Sequence, residues 1–201
     1  RDRDRSAHRG RQAGPFGFCM YASAAGQVVS LDTFYVGRLK GVGAVWQLTA
    51  VDVATRIAVV QLVVGDKTAA VAARFLDHLK KALRKQGITL AGVLTDNGPE
   101  FVGRVFQDHA AQLGLVHHRI PPRSPNHNSV CERFHGTVLQ EFYRPHFHCG
   151  RVEDMALLDR SLQAWTCDYN EHRPNHGDYM AGRTPLQVKK QLRRRIRQTA
   201  A

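Results

Sequence analysis

Leu90-Ala91-Gly92-Val93-Leu94-Thr95-Asp96-Asn97-Gly98-Pro99-Glu100-Phe101 passes from a strand into a helix within one short stretch. Leu90 to Thr95 is a short, mostly apolar run, the pattern of a buried strand. Asp96-Asn97-Gly98 is turn chemistry, and Pro99 stands where a first helical residue tolerates a missing N–H. A strand that ends in an acidic turn and feeds straight into a helix is half of a β-α-β unit.

Downstream, Phe101, Val105, Phe106, Ala110 and Leu113 keep helical step and stop near Gly114. Leu115 to Arg119 reads as another strand, and the Pro-rich run 121–127 as a loop. A helix is expected from about 128 to 142. A longer one covers roughly 153–170, with Leu158, Leu162, Trp165 and Tyr169 in step, so Trp165 is expected in the core. Upstream, Asp66 is a candidate N-cap for a helix carrying Thr68, Ala72, Phe75, Leu76, Leu79 and Leu83 on one stripe, which Gly87 ends. Three strand-like runs come first: 28–36, 46–53 and 56–64, the last two joined by a turn at Asp52-Val53-Ala54-Thr55. Three meandering strands pair antiparallel, and the β-α-β-α-β remainder adds strands in parallel through right-handed crossovers. The expected class is α/β: a five-stranded mixed sheet with helices on both faces, an RNase H-like layout.

Twenty-nine Lys and Arg oppose seventeen Asp and Glu, a net charge of +12. Much of it sits at the ends. Residues 1–11 hold five Arg against two Asp, and 189–201 hold six basic residues and no acid. Basic ends around a balanced middle suggest phosphate-binding arms or solvated tails. We divide the chain into a flexible basic lead-in (1–26), a core (27–174) and a basic extension (175–201). Within the extension a short, marginal helix is expected over 189–197. No apolar run is long enough to span a membrane, and no secretory signal is expected. Cys19, Cys131, Cys149 and Cys167 lack C-x-x-C spacing, so reduced thiols are expected. His146, His148 and Cys149 lack a second ligand pair and read as a surface loop rather than a zinc site.

Three acids stand out. Asp32 lies inside an apolar strand, where a carboxylate is costly unless paired or bound to a cation. Asp96 ends a strand, where ligands of open α/β sheets collect. Glu132 projects away from the apolar stripe Val130, Phe134, Val138 and Phe142. Asn128 and Gly136 share its helical face, and the glycine leaves room beside it. Each has a plain structural reading: a satisfied strand acid, a turn residue, a solvated helix side chain. Together, three oxygen donors at one sheet edge suit hard divalent cations, Mg2+ first, and two such ions would activate a nucleophile and steady a leaving oxygen.

These residues resemble a known family. Asp32, Asp96 and Glu132, with 35 residues between the last two, are similar to the acidic triad of retroviral-type integrases and bacterial insertion-sequence transposases. The strings Leu31-Asp32-Thr33-Phe34-Tyr35-Val36-Gly37, Thr95-Asp96-Asn97-Gly98-Pro99-Glu100-Phe101 and Asn128-Ser129-Val130-Cys131-Glu132-Arg133-Phe134-His135 sharpen the match. So do Tyr169-Asn170-Glu171-His172-Arg173-Pro174 and Gly182-Arg183-Thr184-Pro185. The resemblance covers about residues 27–188. It implies the catalytic core of a DDE transposase: an RNase H-like fold, two Mg2+ (or Mn2+) ions on Asp32, Asp96 and Glu132, DNA cleavage and strand transfer. It also implies homo-oligomers that bring transposon ends to target DNA. Residues 1–26 are too short and too Gly/Ser-rich for the helix-turn-helix module such transposases carry, so the expectation is a fragment, a truncated gene, or sequence-specific binding supplied from elsewhere. Asn126-His127-Asn128-Ser129 departs from the commoner Asn-Gly-Lys or Asn-Gly-Arg.

Further DNA contacts are expected at Asn97, Arg119, Arg123, His127, Arg133 and His135, and along Lys189, Lys190, Arg193, Arg194, Arg195 and Arg197. Arg173 is either a phosphate contact or a brace. No membrane and no small-molecule substrate are expected, and the location is the bacterial cytoplasm, at the nucleoid. The rivals are a non-catalytic DNA-binding remnant that regulates an intact transposase, and a metal nuclease without strand transfer.

Overall fold

The computed structural model describes residues 22–121, 128–148 and 154–199. The strands are β1 (Val29–Leu39), β2 (Gly43–Asp52), β3 (Ala58–Val64), β4 (Gly92–Thr95) and β5 (Val116–Arg119). They form one sheet in the order β3-β2-β1-β4-β5. The first three pair antiparallel, and β1-β4 and β4-β5 pair parallel. This is the expected mixed sheet, and the fold is RNase H-like. The helices are α1 (Ala69–Lys85), α2 (Pro99–Val102), α3 (Arg104–Gln112), α4 (Ser129–Val138), α5 (Arg144–His148), α6 (Met155–Glu171) and α7 (Pro185–Thr199).

Strand alternation sorts side chains onto two cores. Val29 and Leu31 of β1 and Leu48 and Ala50 of β2 pack with Phe75, Leu76 and Leu79 of α1, and with Phe101 and Phe106. On the other face Val51, Ala58 and Val60 pack with Cys131, Phe134 and Val138 of α4 and with Leu158, Leu162 and Tyr169 of α6. Trp165 packs beside Phe134 and Tyr169, as its helical step predicts.

The face under α4 also carries a buried polar row. Ser30, Gln47 and Thr49 are fully buried. Gln47 Nε2 donates to Thr49 Oγ1 (2.8 Å), and Tyr143 OH donates to Gln47 Oε1 (2.7 Å). His135 Nε2 meets Thr49 Oγ1 at 2.9 Å, and Ser30 Oγ donates to Asn128 Oδ1 at 2.7 Å. Every link lies on the residues that alternate with the apolar ones. Tyr143→Phe removes the hydroxyl and leaves Gln47 Oε1 buried and unpaired. The expected loss is ~1–2 kcal/mol, read as a lower melting temperature. A variant that melts with the parent would mean water already replaces the link.

Several elements differ from their sequence reading. Residues 22–26, assigned to the flexible lead-in, form a turn that Asp52 fixes: Gly26 N donates to its Oδ1 (2.8 Å). The N-cap of α1 is Thr68, not Asp66, with Oγ1 accepting from Val71 N. The helix expected over 101–113 is split into α2 and α3 at Gly103. A Cβ there would stand 2.6 Å from the Ala69 Cβ, so the break lets α1 approach. The helix begun by α4 runs past Phe142 through a π-helical turn, Leu139–Tyr143, into α5. His146 and His148 therefore lie on a helix, not a loop, and His146 stacks on Phe142. Cys149 lies outside the described residues, as does Cys19.

The C-terminal helix is longer than expected, because it has a capping box. Gln187 N donates to Thr184 Oγ1 (3.2 Å), and Thr184 N donates to Gln187 Oε1 (2.9 Å). Pro185 supplies the first helical residue. Buried Val188 and Lys189 anchor one face of α7.

Candidate active site

Asp32 lies on β1 at the same parity as Ser30, so it faces α4. Its Oδ1 accepts from Thr33 N (2.7 Å), and its Oδ2 from Asn128 Nδ2 (2.9 Å). His135 Nδ1 stands 3.8 Å from Oδ2. The side chain is 19% exposed. Burial raises its pKa from 3.8 to about 7, and the charges of Asp96, Glu132 and Glu100 add to the rise, while the Thr33 amide opposes it. Burial pushes His135 the other way, to about 4. Between those values both groups are neutral, so their approach is not an ion pair there.

Asp96 follows β4. The parallel register pairs Val29 with Val93 and Ser30 with Leu94, and its continuation sets Asp96 level with Asp32. Asp96 Oδ1 accepts from Gly98 N (2.9 Å), which holds the turn. Glu132 is exposed on the first turn of α4. Asn128, Glu132 and His135 recur at helical spacing on one side of α4. The outer two touch Asp32, and Glu132 between them acts on it by charge. Among the described residues, no three His, Cys, Asp or Glu side chains are placed to hold one metal ion together. The donors are all carboxylate oxygens, and the cluster gathers negative charge around Asp32. A buried oxygen of Glu100 also lacks a partner. These features fit a hard divalent cation.

Glu100 flanks the second acid in sequence but was not counted among the site residues. It is buried. Its Oε1 accepts from Thr33 Oγ1 and from Lys67 Nζ, each at 2.8 Å. Lys67 also sits 4.8 Å above the Trp46 ring. No spacing rule ties Lys67 to Glu100, so nothing in the sequence signals the pair.

The expected phosphate contacts divide. Asn97 Nδ2 is spent on Ile120 O (2.8 Å), which ties the acidic turn to the end of β5. His135 uses its ring inside, on Thr49 and toward Asp32, and is not a surface cation. Arg133 is exposed and lines a cleft of about 90 Å3 with Arg56, Asn175 and Tyr179. Arg119 is exposed at the end of β5. Arg123 and His127 lie outside the described residues. Lys189 is 8% exposed and donates to Gln86 O (3.1 Å), so it anchors α7 rather than forming part of a free arm. Lys190, Arg193, Arg194, Arg195 and Arg197 are exposed along α7. Arg173 is a brace: Nε and Nη2 grip both carboxylate oxygens of Glu141 (2.6 and 2.5 Å).

Comparison with known proteins places this arrangement. A family model described as integrase core domain matches residues 22–125, about half of the chain. The chain belongs to the integrase core domain family. A second integrase core domain model matches residues 113–185. An uncharacterized 31.7 kDa protein of insertion element IS407 from Burkholderia multivorans is 33% identical over 159 residues. That match takes in 79% of this chain and 54% of the relative. A protein of insertion element IS476 from Xanthomonas euvesicatoria is 33% identical over 93 residues, 46% of this chain and 25% of that protein. The chain thus spans about half, or less, of the curated relatives it matches. Among solved structures, the catalytic core of BIV integrase superposes with a TM-score of 0.61 at 17% identity, covering 85% of this chain and 98% of that one. The HTLV-2 integrase catalytic core, solved in complex with magnesium, gives 0.62 at 16% identity, covering 83% and 97%. At these identities the likeness is one of fold. No helix of this integrase core, among the described residues, is long and apolar enough to cross a membrane.

Proposed function

We propose that this chain is the catalytic core of a DDE transposase that cuts and joins DNA strands. The observation that carries the reading is Asp32, a strand carboxyl pushed to about 7 by burial and by the neighbouring charges of Asp96 and Glu132. Such a cluster is costly to ionise alone and is relieved by a cation. Asp32, Asp96 and Glu132 would hold two Mg2+ ions, with Mn2+ as a substitute. When bound, these ions would make a water or 3′-hydroxyl more nucleophilic and stabilise the departing oxygen.

The chain's own residues prepare the site. Thr33 N and Asn128 Nδ2 fix the two oxygens of Asp32, and Gly98 N fixes one oxygen of Asp96. Exposed Glu132 sits on a helix keyed to the sheet through Asn128 and His135, free to reach a substrate-bound ion. The exposed cations of α7, with Arg119, would hold DNA phosphates without reading sequence. Transposon ends, target DNA and further copies of the chain are the partners this reading calls for.

Plasmid nicking tests it. Nicks are expected with Mg2+ or Mn2+ and should stop on chelation, while DNA retention in a gel shift persists. Nicking that survives chelation would rule out the metal mechanism.

A further inference from the structure

Glu100 is 2% exposed, yet only one of its oxygens is satisfied. Oε1 takes the Thr33 hydroxyl and the Lys67 ammonium, and these two bonds lock the carboxylate in place. Oε2 is buried without a partner. A buried acceptor left unpaired is costly, so its place in the fold calls for a reason, and an ion or water from outside is one. The direction of Oε2 is informative. A Cβ on Gly98 would stand 2.9 Å from Glu100 Oε2 and 3.0 Å from Asp96 Oδ1. The missing side chain of Gly98 therefore lets both carboxylates close over its Cα, side by side. Lys67 offsets charge only on the far oxygen of Glu100. The charge of Glu100 reaches Asp32 as well.

We propose that Glu100 is a fourth carboxylate of the acidic cluster, a positioning residue whose Oε2 accepts hydrogen bonds from the water ligands of a divalent cation held at Asp96. The assignment rests on the two-metal reading above and goes beyond it, since that reading uses three acids. Gly98 lets Glu100 Oε2 approach Asp96, and Lys67 and Thr33 hold the other oxygen in place. A cation that keeps part of its hydration shell needs such outer acceptors. Residues in this position commonly change metal affinity without touching the ion.

The test is Mn2+ titration followed by electron paramagnetic resonance, with melting temperatures in the absence of metal. Glu100→Gln keeps an oxygen for Lys67 and Thr33 but turns the other atom into a donor. Gly98→Ala sets a methyl against both carboxylates and pushes them apart, at a backbone φ of −58° that alanine accepts. Both variants should bind Mn2+ about tenfold more weakly or worse, and Glu100→Gln should melt no lower than the parent without metal. Asp32→Asn is the control. If it loses Mn2+ while Glu100→Gln and Gly98→Ala bind like the parent, Glu100 is only the structural partner of Lys67 and the proposal is overturned. If none of the three changes Mn2+ binding, the metal reading falls with it. Should Glu100→Gln fail to fold, Glu100→Asp takes its place: it keeps the charge but withdraws the oxygen without touching Asp96, and parent-like Mn2+ binding by it would overturn the proposal.

Discussion

Replacing Asp32 by asparagine should stabilise the folded chain at pH 8 and, on the proposed reading, abolish strand cleavage. The carboxyl ionises near 3.8 in an unfolded chain and at about 7 in the fold, chiefly through burial. Holding it ionised at pH 8 costs the fold up to ~4 kcal/mol, trimmed to roughly 2 kcal/mol by solvent at its edge and by the amide's own desolvation. Asparagine keeps the shape, and a flip of Asn128 keeps the bonds to Asn128 and Ser30. The folded state holds a proton on Asp32 where the unfolded state has lost it. Its contribution to stability is therefore full below pH 3.8 and is lost as pH rises through about 7. His135 has the opposite slope. Its fold-depressed pKa gives stability that is present above 6.5 and lost as pH falls toward about 4.

In the parent these slopes oppose each other across acid pH. In Asp32→Asn the His135 slope stands alone, so the variant should be the more stable at pH 8 and lose that lead on acidification. On the two-metal reading proposed above, strand cleavage should fall by at least about a thousandfold, since the lost ligand would remove transition-state charge stabilisation worth ~4 kcal/mol. Asp96→Asn should share the loss of activity without the same gain in stability, because Asp96 is half-buried and accepts from Gly98 N. Melting curves from pH 4.5 to 8 and a cleavage assay decide the matter. A variant that melts below the parent at pH 8 would show that the charge of Asp32 is no burden to the fold.

Asn170→Leu should be the most damaging single change outside the acids. β3 is an edge strand, and α6 covers its open side with side-chain amides. Asn170 Oδ1 accepts from Ala58 N and its Nδ2 donates to Ala58 O, both at 2.8 Å. Gln163 Nε2 donates to Val60 O, the next outward carbonyl, at 3.1 Å. Leucine fills similar space but leaves both groups of Ala58 buried and unpaired. The expected loss is ~3 kcal/mol, or roughly 10 °C in melting temperature for a domain of this size. An uncovered edge also invites strand pairing between molecules. Light scattering on heating should rise earlier than in the parent. A melting temperature within about 2 °C of the parent, a shift worth less than ~1 kcal/mol, would show that water reaches the Ala58 backbone.

The sheet was legible because strand alternation and helical step are local signals. Val29 and Leu31 against Ser30 and Asp32 announce two faces, and Asp32 is visible as a carboxyl on a strand otherwise meant for burial. What stayed hidden depends on contacts distant in sequence. Gly103 breaks a helix that its own periodicity continues, because α1 needs the space. His135 lies beside Glu132 in sequence, yet Thr49, far along the chain, turns its ring inward. Lys189 belongs to a basic run, but the carbonyl that takes it ends another helix. Glu100 was legible as a neighbour of Asp96 and illegible as a half-satisfied carboxylate, since only the fold reveals which of its oxygens is met. The Thr184-x-x-Gln187 capping box was readable from local chemistry alone. Its consequence, a long α7 in place of a marginal helix, follows directly.

The buried row of Ser30, Gln47 and Thr49 gives α4 something that an oily seam lacks: a keyed orientation. Apolar contacts tolerate a helix that rolls or slides by part of a turn, whereas hydrogen bonds to Asn128, His135 and Tyr143 fit at one angle only. An all-aliphatic replacement of this row would leave the helix seated but free to roll. One residue step along an α-helix is about 100°, so even a fraction of that roll would swing Glu132 off the end of the sheet. The polar row thus acts as a compass for a carboxylate it never touches.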